Sequence, residues 1–277
     1  RDGYLVVVVG WLTMVFSGML PYVFTNTIDN VPDLIFETMS GYTTTGSSII
    51  SDIEALPKSI IFWRSMTHWL GGMGIIVLAI AILPMLGIGG MQLFSAEAPG
   101  SGISGDKIHP RISNTAKRLW FIYLGLTILE TLLLNIAGMS FFDAINHSMS
   151  NIATGGFSTK NASLSFWNSM PLVQYIVIFF MILAGTNFLL IYLSLIGKFK
   201  KLFYNTEFIW FLGLIASFVL ITTVILNSNV NLDSTNFNHP QIFGKLEASF
   251  RHALFQVVAI ITTTGFVTGD FAAWTPF

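Results

Sequence analysis

Five stretches of this sequence, Tyr4 to Phe24, Ser59 to Leu86, Ala116 to Met139, Pro171 to Phe199 and Phe208 to Leu226, are apolar for about the 20 residues a helix needs to cross a bilayer. Nothing else in the chain constrains its fold as strongly. The apolar residues come in long runs rather than amphipathic stripes, so the bilayer is the solvent. Composition agrees: 53% of residues are hydrophobic and 10% charged, with a mean hydropathy of +0.70, against about 25% charged in ordinary soluble domains. The fold class is therefore an all-α membrane protein. Cysteine is absent, which removes disulfides, thiol nucleophiles and Cys-based metal sites. A net charge of -1 without a long basic block gives no support for a nucleic-acid partner. The start, Arg1-Asp2-Gly3-Tyr4, has neither the basic region nor the cleavage site of a signal peptide, so the first run reads as a true span. The abrupt start and the abrupt end at Phe277 predict a piece of a longer chain.

Between the spans lie three shorter segments, Pro32 to Thr45, Phe142 to Gly155 and Arg251 to Thr264, each flanked by polar residues. A helix of roughly 11 residues covers only about 16 Å, half the hydrocarbon thickness. These segments read as half-helices that enter and turn back. Lys107, Arg111, Lys117 and Arg118 precede the third span, and Lys198, Lys200 and Lys201 follow the fourth. The excess of Lys and Arg places those loops in the cytoplasm, so the half-helices enter from outside. The outer side carries Asp29, Asp33, Asp52, Glu54, Asp143, Asp233, Glu247 and Asp270 against Lys58, Lys160, Lys245 and Arg251. That balance reads either as a mildly negative vestibule that concentrates cations or as ordinary solvated loops. Trp63, Trp69, Trp120 and Trp167 fall near predicted helix ends, as interfacial belts do.

The half-helices are copies of one another. Asp33 to Gly46 and Asp143 to Gly156 stack without gaps and share the leading Asp, an Ile, a Met-Ser pair and the closing Gly; His252 to Gly265 shares Phe, a Thr triplet and Gly with the first. The starts are separated by 110 and 109 residues, which argues for duplication. The flanking spans repeat too, giving span, half-helix, span. The domain reading is 1–90 for the first repeat, 91–115 for a cytoplasmic loop, 116–200 for the second repeat and 201–277 for a third that stops after its turn.

Such a unit suits a cation. A potassium ion entering a low-dielectric slab must exchange water for oxygen ligands, and backbone carbonyls supply these without a formal charge. Irregular backbone at membrane depth is tolerated where it is buried or lines water, the setting of a Thr-Gly turn between packed helices. Gly46, Gly156 and Gly265 suit the positive φ and close backbone approach of such a turn. Thr44, Thr45, Thr154, Gly155, Thr263 and Thr264 would then offer the carbonyls that hold K+. The negative C-terminal end of each half-helix dipole points at the ion path.

These residues resemble the Trk/Ktr/HKT superfamily of potassium transporters, closest to its bacterial TrkH branch. The resemblance covers essentially the whole chain and rests on Met39 to Gly46, Phe62 to Ile76, Leu83 to Gln92, Glu97 to Gly100, Asp143 to His147 and Ala153 to Asn161. It implies four repeats around a pseudo-fourfold pore, three of them visible here and the third incomplete. It implies also a multi-pass protein of the bacterial inner membrane, a homodimer, a cytosolic nucleotide-binding regulatory subunit, and a glycine at each filter turn for potassium selectivity. The fourth filter, the family's gating loop and extra N-terminal spans are absent, and a fourth half-helix ending in Gly is predicted about 110 residues on.

Other signals weigh less. Arg64 and His68 share a helical face, and Arg64 reads as pairing with an acid such as Glu37 or Glu54, or as shaping the vestibule field. Glu130 is a candidate because it lies within a span, although its separation in sequence from the filter segments counts against a role there. Gly71, Gly72, Gly74 and Gly185 read as helix crossings. Gly102-Ile-Ser-Gly105 and Gly87-Ile-Gly-Gly90 lack the partners of a protease or dinucleotide site, and Asn161-Ala-Ser163 matches a glycosylation sequon. The chain thus reads as a potassium-conducting subunit with no enzymatic activity and no bound cofactor beyond K+ in its filter. The alternatives are a sodium-permeable or proton-coupled cation transporter of the same architecture. A broken-helix secondary transporter would need inverted repeats and intramembrane carboxylates, and an intramembrane enzyme a nucleophile with a base or a metal cluster.

Overall fold

The computed structural model describes residues 2–86, 112–229, 240–270 and 274. The motifs Gly87 to Gly90, Glu97 to Gly100 and Gly102 to Gly105, together with Lys107, Arg111 and Asp233, lie outside the described residues. Among the described residues all regular structure is helical. In chain order the helices are α1 (Asp2–Phe24), α2 (Val31–Tyr42), α3 (Lys58–Leu86), α4 (Ile112–Ile136), α5 (Phe141–Ile152), α6 (Pro171–Ala184), α7 (Phe188–Leu195), α8 (Phe199–Phe203), α9 (Thr206–Asn229) and α10 (Lys245–Ile261). A 3-10 turn, Ser163–Trp167, sits between α5 and α6.

By length and composition, Arg118–Ile136 of α4 and Thr206–Ser228 of α9 are apolar enough to cross a membrane. Their outward faces stay apolar: Phe121, Ile128 and Leu132 on α4, and Trp210, Phe218 and Ile221 on α9, are exposed. Such surfaces are stable in lipid and would be costly in water.

Packing follows the repeat. α2 lies between α1 and α3, α5 packs on α4 and α6, and α10 lies along α9. α3 also packs against α4 and α5, and α6 against α10, so the second span of each complete repeat covers the half-helix of the next. The largest apolar cluster, which includes Val177, Ile178, Phe255, Val258, Ala259 and Phe266, seals the junction of α6 and α10.

Two expected elements differ. The run from Pro171 to Phe199 is three helices rather than one, broken at Gly185 to Asn187 and again at Gly197, whose φ is +84°. Hydropathy alone does not register such breaks. The third half-helix is longer than expected, 17 residues from Lys245, because Glu247 and Arg251 form an i,i+4 ion pair at 2.9 Å that extends it through polar sequence.

The tryptophans also differ from a simple belt. Trp63 Nε1 donates to the Gly18 carbonyl (3.0 Å) and Trp69 Nε1 to Thr127 Oγ1 (3.1 Å), tying α3 to α1 and to α4, while Trp167 is buried in the core. A buried indole N–H needs an acceptor, and here a neighbouring helix supplies it. Gly71, Gly72 and Gly185 mark close crossings, against the Tyr42 backbone, Ala153 and Thr262 respectively, but a side chain at Gly74 would meet nothing within 4 Å.

Candidate ion filter

The three half-helices end in the same way. Thr44 (φ +55°), Thr154 (φ +54°) and Thr263 (φ +58°) take the left-handed conformation immediately after the helix cap. Their amides donate back to Gly41, Asn151 and Ile260. The next amide closes the turn, Thr45 onto Ser40 (3.0 Å) and Gly155 onto Ser150 (2.8 Å), which is the Schellman ending of a helix. In the third copy the closing bond comes one residue later, from Gly265 to Ala259 (3.1 Å).

A β-branched residue at the left-handed position costs about 1–2 kcal/mol relative to glycine, the usual occupant. The strain recurs at all three threonines, at the same place after each half-helix. From sequence, positive φ is expected at the glycines. Gly46, Gly156 and Gly265 do have it, at +76°, +80° and +77°, but the threonine two residues earlier has it as well. The signal that pointed there is a Thr, rather than a Gly, at the same place after every half-helix. Thr154→Gly is expected to raise stability by about 0.5–1 kcal/mol, the released strain less the added chain entropy of glycine. The turn would loosen at the same time, so a higher Tm in detergent should come with weaker ion discrimination.

The three turns pack against one another in sequence order. A Cβ at Gly46 would fall inside contact distance of the Gly155 carbonyl oxygen, and one at Gly156 would fall on the Thr264 carbonyl oxygen. At Gly265 a Cβ would meet nothing within 4 Å among the described residues. The nine predicted residues thus form one constellation: Thr44, Thr45 and Gly46 beside Thr154, Gly155 and Gly156, and these beside Thr263, Thr264 and Gly265.

Side chains of each half-helix brace the strand that leaves its turn. Glu37 on α2 accepts from Ser48 Oγ and from the Ile49 amide, each at 3.1 Å. At the matching positions 110 residues on, His147 Nε2 lies 2.9 Å from Ser158 Oγ. One more staple recurs: Thr159 donates to Asp143 (2.6 Å) in the second repeat, and Thr268 lies 2.9 Å from His252 Nδ1 in the third. These braces escaped the sequence reading because each joins residues 11 to 16 apart across an irregular turn. The offset shared by Glu37–Ser48 and His147–Ser158 was the available clue.

Arg64 settles on Glu37 rather than Glu54. Its Nε is 2.9 Å from Glu37 Oε1, Nη2 donates to Ser48 (3.0 Å), and the guanidinium lies 4.2 Å from the Phe157 ring centroid, with both charged side chains buried. Arg251, expected to be a base of the outer loops, is likewise buried, paired with Glu247 and bonded to Gln174. Outside the half-helices, Lys160 pairs with Glu54 at 3.5 Å. Pairing Glu54 with Lys160 and Glu247 with Arg251 leaves the acidic excess of the outer loops as it was counted, with Asp29 and Asp52 exposed. Asn161 uses its whole amide, donating to Asp52 (2.8 Å) and accepting from the Ile53 amide (2.7 Å), so the sequon residue serves as a clasp between the first two outer strands. That hydrogen bond holds the Asp52 carboxyl below the usual carboxylate range.

Glu130 lies closer to the site than its place in the sequence suggested. Asn151, in the last turn of α5, donates to Glu130 (2.6 Å) and to the Val177 carbonyl (3.2 Å), while its own backbone carbonyl accepts from Thr154 (2.8 Å). Asn151→Ala removes a buried carboxyl's donor and is expected to cost about 1–3 kcal/mol. Glu130→Leu in the same background should recover much of that loss of thermal stability, since no carboxyl then remains to be satisfied.

Comparison with known proteins agrees with this architecture. The family model described as cation transport protein, TrkH, matches residues 1–277. The Trk system potassium uptake protein TrkH of Salmonella typhimurium is 42% identical across the whole chain, which covers 55% of that protein. TrkG of Escherichia coli, also named a Trk system potassium uptake protein, is 35% identical over 99% of the chain and 54% of its own length. The crystal structure of the potassium transporter TrkH from Vibrio parahaemolyticus superposes with a TM-score of 0.80 at 38% identity, covering 99% of this chain and 53% of that one. The chain spans about half the length of the curated relatives it matches.

Proposed function

The chain belongs to the TrkH family of cation transport proteins, and from that premise we propose that it forms most of a potassium-conducting pore whose selective element is the ring of Thr-Gly turns. One observation carries this reading. Three strained turns from three successive repeats stand carbonyl to glycine, with Gly155 O against Gly46 and Thr264 O against Gly156. Carbonyls of Thr44, Thr45, Thr154, Gly155, Thr263 and Thr264 replace the water shell of K+, which is cargo rather than cofactor. Each half-helix adds the negative end of its dipole.

A fourth turn, supplied by a further repeat of the full-length protein, closes the ring beside Gly265 into a pseudo-fourfold pore. The repeat boundaries at residues 90, 115 and 200 follow from the same reading, as do the bacterial inner membrane, a homodimeric assembly, a cytosolic regulatory subunit and the lack of any enzymatic step. The names of the relatives, a "Trk system" for potassium uptake, support a transport complex of several parts.

The test is rubidium uptake into proteoliposomes containing the full-length protein, with sodium as competitor. Rubidium density is expected among the carbonyls of Thr45, Gly155 and Thr264. Equal transport of sodium and rubidium, or density confined to other sites, would sink the reading.

A further inference from the structure

The three turns are alike in backbone but differ in how their walls are held. In the first, the hydroxyls of Thr43 and Thr45 are hydrogen-bonded at 2.8 Å across the strained Thr44. In the third, Thr262 and Thr264 make the same bond at 2.8 Å across Thr263. The second turn has Ala153 and Gly155 at those places and has no such pair. Gly155 does not have a positive φ, so its backbone would accept a side chain. Space is what forbids one: a Cβ there would fall on the imidazole of His68.

His68 is buried on α3 and touches the second turn from both directions. Its Nδ1 lies 3.0 Å from Ser150 Oγ, and the Ser150 carbonyl accepts the Gly155 amide at 2.8 Å. The ring also stacks on Phe157, two residues beyond Gly155, with centroids 3.9 Å apart and planes 15° from parallel. One repeat later, the residue matching His68 is Met181 on α6, four residues before Gly185 as His68 is four before Gly72, and it lies in one apolar cluster with Phe266, the match of Phe157. There the turn carries Thr264. Histidine on the covering helix thus goes with glycine in the turn, and methionine with threonine.

We propose that His68 is a positioning residue of the second filter turn, its ring replacing the threonine hydroxyl pair that braces the other two, and that it thereby helps to set potassium over sodium discrimination. This rests on the filter reading above. Without the ring, Gly155 has no side chain of its own and only its amide bond to Ser150 to fix it, and the ring of oxygens relaxes toward the smaller ion.

The experiment measures rubidium uptake against sodium competition in the full-length protein reconstituted in liposomes. His68→Ala is expected to lower discrimination about fivefold to tenfold, the scale of one buried hydrogen bond. The triple variant His68→Met, Ala153→Thr, Gly155→Thr transplants the set found at the third turn and is expected to return discrimination to within about twofold of the parent. A structural role alone would lower the yield of folded protein without this pattern of loss and rescue. Should His68→Ala fail to fold, His68→Gln, which keeps a donor for Ser150 but lacks the stacking ring, is read in its place. Unchanged discrimination in the folded single variant, or a triple variant no better than it, overturns the proposal. Gly156→Ala is run alongside: if it alters discrimination while the His68 variants do not, only the role of His68 fails, whereas if neither does, the filter reading fails with it.

Discussion

Gly46→Ala and Gly156→Ala are expected to abolish selective rubidium uptake, each for two reasons that add. Both glycines hold φ near +80°, where an alanine costs about 1–2 kcal/mol. In both, the new methyl also lands on the carbonyl oxygen of the neighbouring turn, which is backbone and cannot rotate aside. The turn or its neighbour must shift, and the displaced oxygens, those of Gly155 and Thr264, are the ones proposed to bind the ion. Misplacing a ligand ring in this way is expected to cost at least about a hundredfold in rubidium over sodium discrimination, or roughly 3 kcal/mol. Gly265→Ala separates the two reasons. Among the described residues it suffers only the conformational cost, so a loss as severe as that of Gly46→Ala would reveal a further backbone strand on its open side. Uptake in a potassium-requiring host and competition in liposomes read both effects.

Breaking the Glu37–Arg64 pair is expected to be the most destabilising single change outside the turns. Both side chains are buried and 2.9 Å apart, and Glu37 in addition accepts from Ser48 and Ile49 just past the first filter. Removing either partner strands a charge in a low-dielectric interior, a loss of about 3–5 kcal/mol. Glu37→Ala and Arg64→Ala should therefore each lower the Tm in detergent and the yield of folded protein sharply. The double variant Glu37→Gln, Arg64→Gln leaves no stranded charge and keeps an acceptor for Ser48 and the Ile49 amide at position 37 and a donor for Ser48 at position 64, so it should recover most of the stability. If the single variants prove as stable as the double, the pair contributes packing rather than charge compensation.

Much of this molecule is written in short-range patterns. The runs that become α1, α4 and α9 are long and apolar because a bilayer leaves a helix no polar solvent to face. The half-helices are legible because the same 14-residue pattern recurs three times. The break of the fourth run at Gly185 is not legible in hydropathy because the residues on either side remain apolar; at the break Gly185 lies close against Thr262, just after α10. The length of α10 is hidden for the converse reason: its first turns are polar, yet Arg251 finds Glu247 and Gln174 and is buried.

The sequence by itself determined the membrane setting, the repeat, and the nine residues of the three turns, because each of these depends on residue type at a fixed spacing along the chain. Tertiary structure alone decided what stands beside each turn. Glu130 meets Asn151, Arg64 chooses Glu37, and His68 fills the space left by Gly155, through contacts between residues 21, 27 and more than 80 positions apart. The physical reason is packing. A buried polar group must find its partner in three dimensions, and which helix brings that partner depends on how the repeats close around one another.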